Sequence, residues 1–306
     1  SGSPLYGRRT HEIKLNNLPI LDLFNWLKID IVNFIQLWSV FEGVPYYYEL
    51  IDNKINSIEN IKSLLVSKNA KLQDEGRSIL SMEFSGQSKV YYTILSAIAE
   101  GKTKLNEIAS YFDNKSNIVI KYLNIMRNDF GIIKRITPIL EEANKSKTGE
   151  YEINDNFLNF WFFFLERNRN YIEQDRYKEL ENIFEERFNN YIGRIFEKFI
   201  VEIIKDNLIK EFRPFNFSKI GRQFGKIYDE NIKINKGEVY EIDICVADDN
   251  NDNILFGECK WSEKINALEI VNNLNEKVKN IKFKNTKRNG FFAVFAKSFT
   301  KRISEF

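Results

Sequence analysis

The sequence predicts an α+β protein in several parts: an N-terminal helical region, a segment of short helices closed by a hairpin, and a C-terminal α/β unit around a mixed sheet. Three observations carry this. Apolar residues recur at helical spacing through most of the first 85 residues. Between about residues 86 and 155, short helical runs stop at glycines and give way to two β-rich runs. In the last third, two apolar strands joined by an Asp/Asn turn lie between a long helix and a second amphipathic helix. The corresponding divisions are 1–85, 86–155 and 156–306.

Bulk composition narrows the chemistry. A chain of 306 residues, 43% hydrophobic and 29% charged, has enough apolar surface for real cores and is not globally disordered. No apolar run reaches the length of a bilayer span and no charged-then-apolar leader opens the sequence, so a cytoplasmic protein without a membrane partner is expected. The net charge of +2 makes any basic surface local. Cys245 and Cys259 are the only cysteines, which fits a reducing compartment better than a disulfide scaffold. His11 is the only histidine, which removes most zinc sites and histidine-based triads. Any chemistry here must run on carboxylates and lysines, with or without a hard metal ion.

In the first part, "LPILDLFNWLKIDIVNFIQLWSVFEGVPYYYELI" carries helical periodicity, with Pro19 suited to an early helical position and "EGVPYY" marking a turn. A further helix is predicted from about Ile58 to Leu80. In the second part, "SKVYYTILSAIAEG" reads as a helix closed by Gly101, "KLNEIASYF" as another, and "SNIVIKYLNIMRNDFG" as a third, capped by Ser116 and ended by Gly131. "IIKRITPI" and "EYEIN" read as a hairpin, which completes a winged helix-turn-helix plan. Eight Lys or Arg oppose four Asp or Glu between residues 86 and 140. On the third helix Asn117, Lys121, Asn124 and Arg127 fall roughly opposite Ile118, Tyr122 and Met126, giving the polar, basic face that contact with DNA requires. A protein-contact module is the competing reading. The aromatic stretch "NFLNFWFFFLERNRNYI" suits a helix buried between domains better than a base-stacking surface.

The last part opens with a helix from about Glu181 to Leu208, followed by short strands near Phe212 to Phe217. "EVYEIDICVADDNNDNILFGECKW" then gives two strands, Ile265, Leu268, Val271, Leu274, Val278 and Ile281 repeat at helical spacing, and "GFFAVFAKSF" closes as a strand. One lookalike is set aside: Gly101-Lys102-Thr103 matches the end of a phosphate-binding loop, but Ser96 stands where its first glycine belongs and a helix precedes it. The carboxylates are more informative. Glu258 and Lys260, two apart on a strand, face the same way. Asp243 stands between Ile242 and Ile244, which face the core, and a hairpin brings it near Glu258. Two such carboxylates repel unless a cation lies between them, and Mg²⁺ or Mn²⁺ suits two carboxylates plus a substrate phosphate. Lys260 supplies a charge to orient water or hold a phosphate oxygen. Glu197, on the long helix with Gly193, Ile200 and Ile204, points inward, whereas Lys198 lines up with Arg194, Glu202 and Lys205.

At these residues the chain resembles the PD-(D/E)XK nuclease superfamily, whose pattern maps onto Asp243 and Glu258-Cys259-Lys260, with Glu197 as the helix glutamate of many members. "EIDI" followed by "FGECKW" is similar to the C-terminal domain of a family of archaeal P-loop ATPases. "SPLYGRRTHEIKL", "EGVPYYYELI", "YYTILSAIAEGKTKLNEIA" and "FWFFFLERNRNYIE" extend the likeness over nearly the whole chain. The resemblance implies a helical lid, a winged helix and a restriction-endonuclease-like domain following a nucleotide-binding core, with Arg8 as a nucleotide-sensing arginine. This sequence has no Walker A or Walker B strand, so ATP binding is expected only with an upstream or partner core. "KVKNIKFKNTKRNG" carries six basic residues from Lys277 to Arg288, and Lys282 and Lys284 are candidates for a phosphate-backbone strip. The expected function is a DNA-acting, Mg²⁺-dependent phosphodiesterase with Asp243 and Glu258 on the metal. The rival is a non-catalytic module, binding nucleic acid or protein, of a switch ATPase, with an ATPase core or self-association as the partner.

Overall fold

The computed structural model describes residues 16–84, 88–141, 148–206, 215–229, 234–248, 252–279, 281 and 288–300. Arg8, Lys282 and Lys284 lie outside these residues. Helices α1 (Ile20–Leu27) and α2 (Ile31–Phe41) follow the expected periodicity. Asp30 caps α2 by accepting the Val32 and Asn33 amides, both at 3.0 Å. Pro45 opens the short α3 (Pro45–Tyr48).

The single helix expected over 58–80 is two. α4 (Ser57–Ile61) runs into a π-helical turn over Lys62–Val66, and α5 (Glu75–Glu83) starts afresh. The break falls where Asn69 takes a φ of 60° and the Leu72 amide turns back to the Leu64 carbonyl at 2.9 Å. Local main-chain chemistry that Asn permits overrides the longer helical period here.

Next come α6 (Ser88–Ala99), α7 (Leu105–Ala109), α8 (Ser116–Asn128) and the hairpin of β1 (Ile133–Ile136) and β2 (Glu150–Ile153), antiparallel with Ile133 opposite Ile153. Gly101 closes the end of α6 at a φ of 95°. The Thr103 carbonyl accepts the Tyr151 amide at 2.8 Å, so the Gly-Lys-Thr triplet is a helix end leading into a strand contact. Two expectations for α8 are corrected. Ser116 is its first residue and no side chain caps it from Lys115. Ile118 is 45% exposed, because the buried stripe runs through Val119, Leu123 and Met126 and turns Ile118 off its edge.

The aromatic run forms α9 (Asn156–Phe160), a π-helical turn over Trp161–Glu166 and α10 (Arg169–Glu173). Phe157, Phe160, Trp161, Phe162 and Phe164 are all at most 1% exposed, so they are the centre of the core and present no ring for stacking on bases. The Trp161 indole N–H donates to the Gln73 carbonyl at 2.8 Å. α11 (Tyr177–Lys205) begins earlier than expected and packs Phe184, Phe188, Tyr191 and Phe199 into the same core. Lys198, which lines up with Arg194, Glu202 and Lys205 along α11, is half-buried. Its ammonium donates to Glu42 Oε1 at 2.9 Å, the Asn154 carbonyl at 2.9 Å and Asn156 Oδ1 at 2.8 Å. It ties α11 to the N-terminal helices, and full satisfaction of its donors explains how a lysine sits there.

Among its described residues the C-terminal unit has four strands, β3 (Lys219–Asp229), β4 (Ile234–Ala247), β5 (Asn253–Lys260) and β6 (Asn289–Ala296), with α12 (Ala267–Lys279) between the last two. Their spatial order is β3-β4-β5-β6, antiparallel except for β5 with β6. The chain order of helix, three strands, helix, strand matches expectation, but residues 215–217 precede the first strand rather than forming it. The sheet buries both faces. Ile244, Val246, Leu255 and Cys259 join the large core with α11, whereas Ile242, Cys245, Ile254 and Phe256 cluster with Leu274, Val278 and Ile281. Leu268, expected inward, is exposed. Among the described residues no helix is long and apolar enough to cross a membrane.

Candidate functional site

Strict alternation would put Ile242 and Ile244 on one face of β4. They lie on opposite faces, in separate clusters. The reason is a β-bulge: pairing shifts between Gly221 opposite Cys245 and Gln223 opposite Ile242, so Arg222 on β3 faces both Asp243 and Ile244 on β4. Asp243 occupies the irregularity. Pairing of β4 with β5 stops at Ile244 and Gly257, and the Cys259 amide donates at 2.8 Å to Asp243 Oδ2. One step beyond that last pair, Asp243 and Glu258 stand across from each other on neighbouring strands.

Both carboxylates are buried, Asp243 at 9% and Glu258 at 7% exposure. Glu258 Oε1 accepts the Lys260 ammonium at 2.8 Å, as the shared face of β5 requires. A second lysine completes the cluster. Lys277, in the last turn of α12, donates to Glu258 Oε1 at 3.0 Å and Oε2 at 2.9 Å. Burial, and then the neighbouring Glu258 charge, pushes Asp243 up to about 6, against the bond from Cys259 and the charges of Lys260 and Lys277. Burial also holds Glu197 well above the usual carboxylate range, with the Asp243 charge adding to it and Arg222 opposing. Burial opposes the charge on Lys260, but the Glu258 bond and charge outweigh it and raise the ammonium. The Cys259 thiol is held far above its ordinary range by burial and then Asp243, so it is a poor nucleophile.

A cleft of about 660 Å³ opens beside Asp243, between α11, the sheet and the helix–hairpin segment. Glu197, Asp243, Glu241 and Arg222 line one side; Thr103, Lys104 and Glu152 line the other. Arg222 bridges the two sides: Nη2 lies 2.9 Å from Glu150 Oε2 and 3.0 Å from Glu152 Oε1, and Nη1 lies 3.3 Å from Glu241 Oε1. The Ile139 amide donates to the Arg222 carbonyl at 3.0 Å, and the Leu140 amide to Gln223 Oε1 at 3.1 Å. The hairpin segment is thus fastened to β3, the strand that pairs across the bulge.

The sequence-derived candidates therefore divide. Asp243, Glu258 and Lys260 come together, and Glu197 approaches Asp243 from α11. Asn117, Lys121 and Asn124 are exposed on α8, while Arg127 is half-buried and donates to Asn128 Oδ1 at 3.0 Å and Asn124 Oδ1 at 3.4 Å. None of these four lines the cleft beside Asp243. Sequence reasoning missed Arg222, for which a lone strand arginine offers no signal. It noted Lys277 only within a basic run, although a position three beyond the inward Leu274 falls near the sheet-facing side of α12.

The donor set fits a hard cation. Oxygen ligands from two buried carboxylates suit Mg²⁺ or Mn²⁺, which keeps waters on its remaining positions. Among the described residues no group of three or more His, Cys, Asp or Glu side chains stands in metal-binding geometry, so the protein would supply Asp243 and Glu258 alone.

A family model described as archaeal and bacterial proteins of unknown function (DUF234) matches residues 161–287, which include Glu197, Asp243, Glu258, Lys260 and Lys277. An uncharacterized protein of Methanocaldococcus jannaschii is 33% identical over 267 residues, covering 85% of this chain and 55% of that protein. The chain thus spans about half the length of this curated relative. No solved structure matches the chain.

Proposed function

We propose that this chain acts on DNA: a winged helix-turn-helix over α6–β2 docks the duplex, and a PD-(D/E)XK-like phosphodiesterase site in the C-terminal sheet cuts it. The observation that carries this is the bulge at Asp243, which sets its carboxylate against Glu258 beside two lysines. Bulges re-aim side chains and gather near active sites. Asp243 and Glu258 would hold the cation. A bound Mg²⁺ supplies charge to the phosphate and lowers the pKa of a bound water. Lys260 holds Glu258 in place and offers its ammonium to a phosphate oxygen or the attacking water. Glu197, whose carboxyl burial holds well above the usual carboxylate range, lines the same cleft as Asp243 and supports the site from α11.

The test is cleavage of plasmid and linear DNA with Mg²⁺ or Mn²⁺. Activity that depends on the cation and disappears in Glu258→Ala and Lys260→Ala supports the reading; activity that survives in both variants overturns it.

One observation favours a second reading, a binding module without turnover: both Glu258 oxygens are already taken by ammonium groups. In that case the lysines neutralise the pair permanently and calorimetry detects no Mn²⁺ binding that depends on Asp243. Association with an ATPase core, with ATP bound there, belongs to either reading as a partner.

A further inference from the structure

Lys277 has no place in the three-residue motif, yet it makes the most complete contact with Glu258. Its ammonium sits across both carboxylate oxygens, at 3.0 and 2.9 Å, whereas Lys260 reaches only one, at 2.8 Å. That two-oxygen position in front of a carboxylate is also where a cation coordinates. Lys277 comes from the last turn of α12, beside the inward Leu274 and Val278, so the helix holds its backbone in place while the side chain remains one-third exposed. A long, flexible stem on a fixed helix lets the charge shift by a few ångströms without unfolding anything.

We propose that Lys277 is a placeholder for the divalent cation: it holds Glu258 in position when no metal is present, and moves to a non-bridging phosphate oxygen of the nucleic-acid backbone when the cation arrives. This rests on the metal-dependent reading of the same site. Charge counting supports it. Asp243 and Glu258, when ionised, balance Lys260 and Lys277, so the cluster is near neutral without metal. Adding a divalent ion without losing either lysine leaves a doubly positive site, complementary to a phosphodiester whose charge grows in the transition state. Lys277 is thus a positioning residue in the empty site and a phosphate-binding residue in the loaded one.

The experiment is calorimetric titration of the whole chain with Mn²⁺, without nucleic acid, comparing wild type, Lys277→Met, Lys277→Arg and Glu258→Gln. Removing one positive charge about 5 Å from a divalent ion should tighten Mn²⁺ binding about tenfold in Lys277→Met. Lys277→Arg should weaken it, because a guanidinium fork grips both oxygens more firmly than an ammonium. In a second arm, DNA binding measured with non-cleaving Ca²⁺ should weaken about threefold or more in Lys277→Met, with a shallower salt dependence. A lysine with a merely structural role would not give opposite signs for Met and Arg.

If Glu258→Gln abolishes Mn²⁺ binding while Lys277→Met leaves it unchanged or weaker, the placeholder role is overturned and the metal site stands. If wild type and Lys277→Met both fail to bind Mn²⁺, the metal site itself falls, and the placeholder role with it. Should Lys277→Met not fold, the Lys277→Arg arm decides alone: unchanged or tighter Mn²⁺ binding refutes the proposal.

Discussion

Replacing Asp243 by Asn should stabilise the metal-free protein, and by an amount that depends on pH. Asp243 is pushed up to about 6 from its ordinary 3.8, first by burial and then by Glu258. Below about pH 4 the carboxyl is protonated in both the folded and unfolded chains, and its titration costs nothing. Between about 4 and 6 the folded chain holds a proton that the unfolded chain has released, so stability falls as pH rises. Above about 6 the loss reaches a plateau of about 3 kcal/mol, taking one pKa unit as about 1.4 kcal/mol. Asn keeps the oxygen that accepts the Cys259 amide while removing the charge. Urea unfolding with EDTA, from pH 4 to 8, should show the variant's advantage near zero at the acid end and growing to a few kcal/mol by pH 7. Mn²⁺ should then raise the stability of wild type but not of the variant. A variant equally or less stable than wild type at pH 8, or an advantage that does not change with pH, would refute the picture of two repelling buried carboxylates.

Other outcomes follow from the same geometry. Arg222→Ala leaves Glu150, Glu152 and Glu241 without their shared cation, so a loss of about 2 kcal/mol is expected, together with faster hydrogen exchange across β1 and β2. Gly76→Ala should be strongly destabilising, by about 3 kcal/mol, because its new Cβ would lie 2.3 Å from the Trp161 ring; thermal unfolding reports this. If α8 docks DNA, Lys121→Ala should weaken binding across unrelated sequences and reduce the salt slope by about 1 in a fluorescence-anisotropy titration.

The elements that the sequence revealed are those whose cause is local and repetitive. The two strands joined by the Asp/Asn turn, the helix after them and the closing strand follow from alternation, the turn and the spacing of Leu274 and Val278, each a short-range pattern, whereas the first strand of the sheet, Lys219–Asp229, falls beyond the Phe212–Phe217 run where it was expected. The pairing of Asp243 with Glu258 was legible because a hairpin makes register almost a matter of counting. The bulge was not, since one extra residue leaves no mark on composition yet reverses the faces of Ile242 and Ile244. Lys198 and Arg222 were illegible for a different reason. Their partners, Glu42 and Glu150 among them, lie 156 and 72 positions away in sequence, and only tertiary packing joins them. The two-part helix over 57–83 shows a third limit, in which one asparagine with a positive φ outweighs a long apolar period.

The claim that Asp243 and Glu258 hold a divalent cation is tested most directly by a crystal grown or soaked with Mn²⁺, measured at a wavelength where manganese scatters anomalously. An anomalous peak between the Asp243 and Glu258 carboxylates, with Lys277 withdrawn from Glu258, is the expected result. Both lysines still bonded to Glu258 and no peak at the pair, in crystals whose soak is verified by manganese fluorescence, would contradict it.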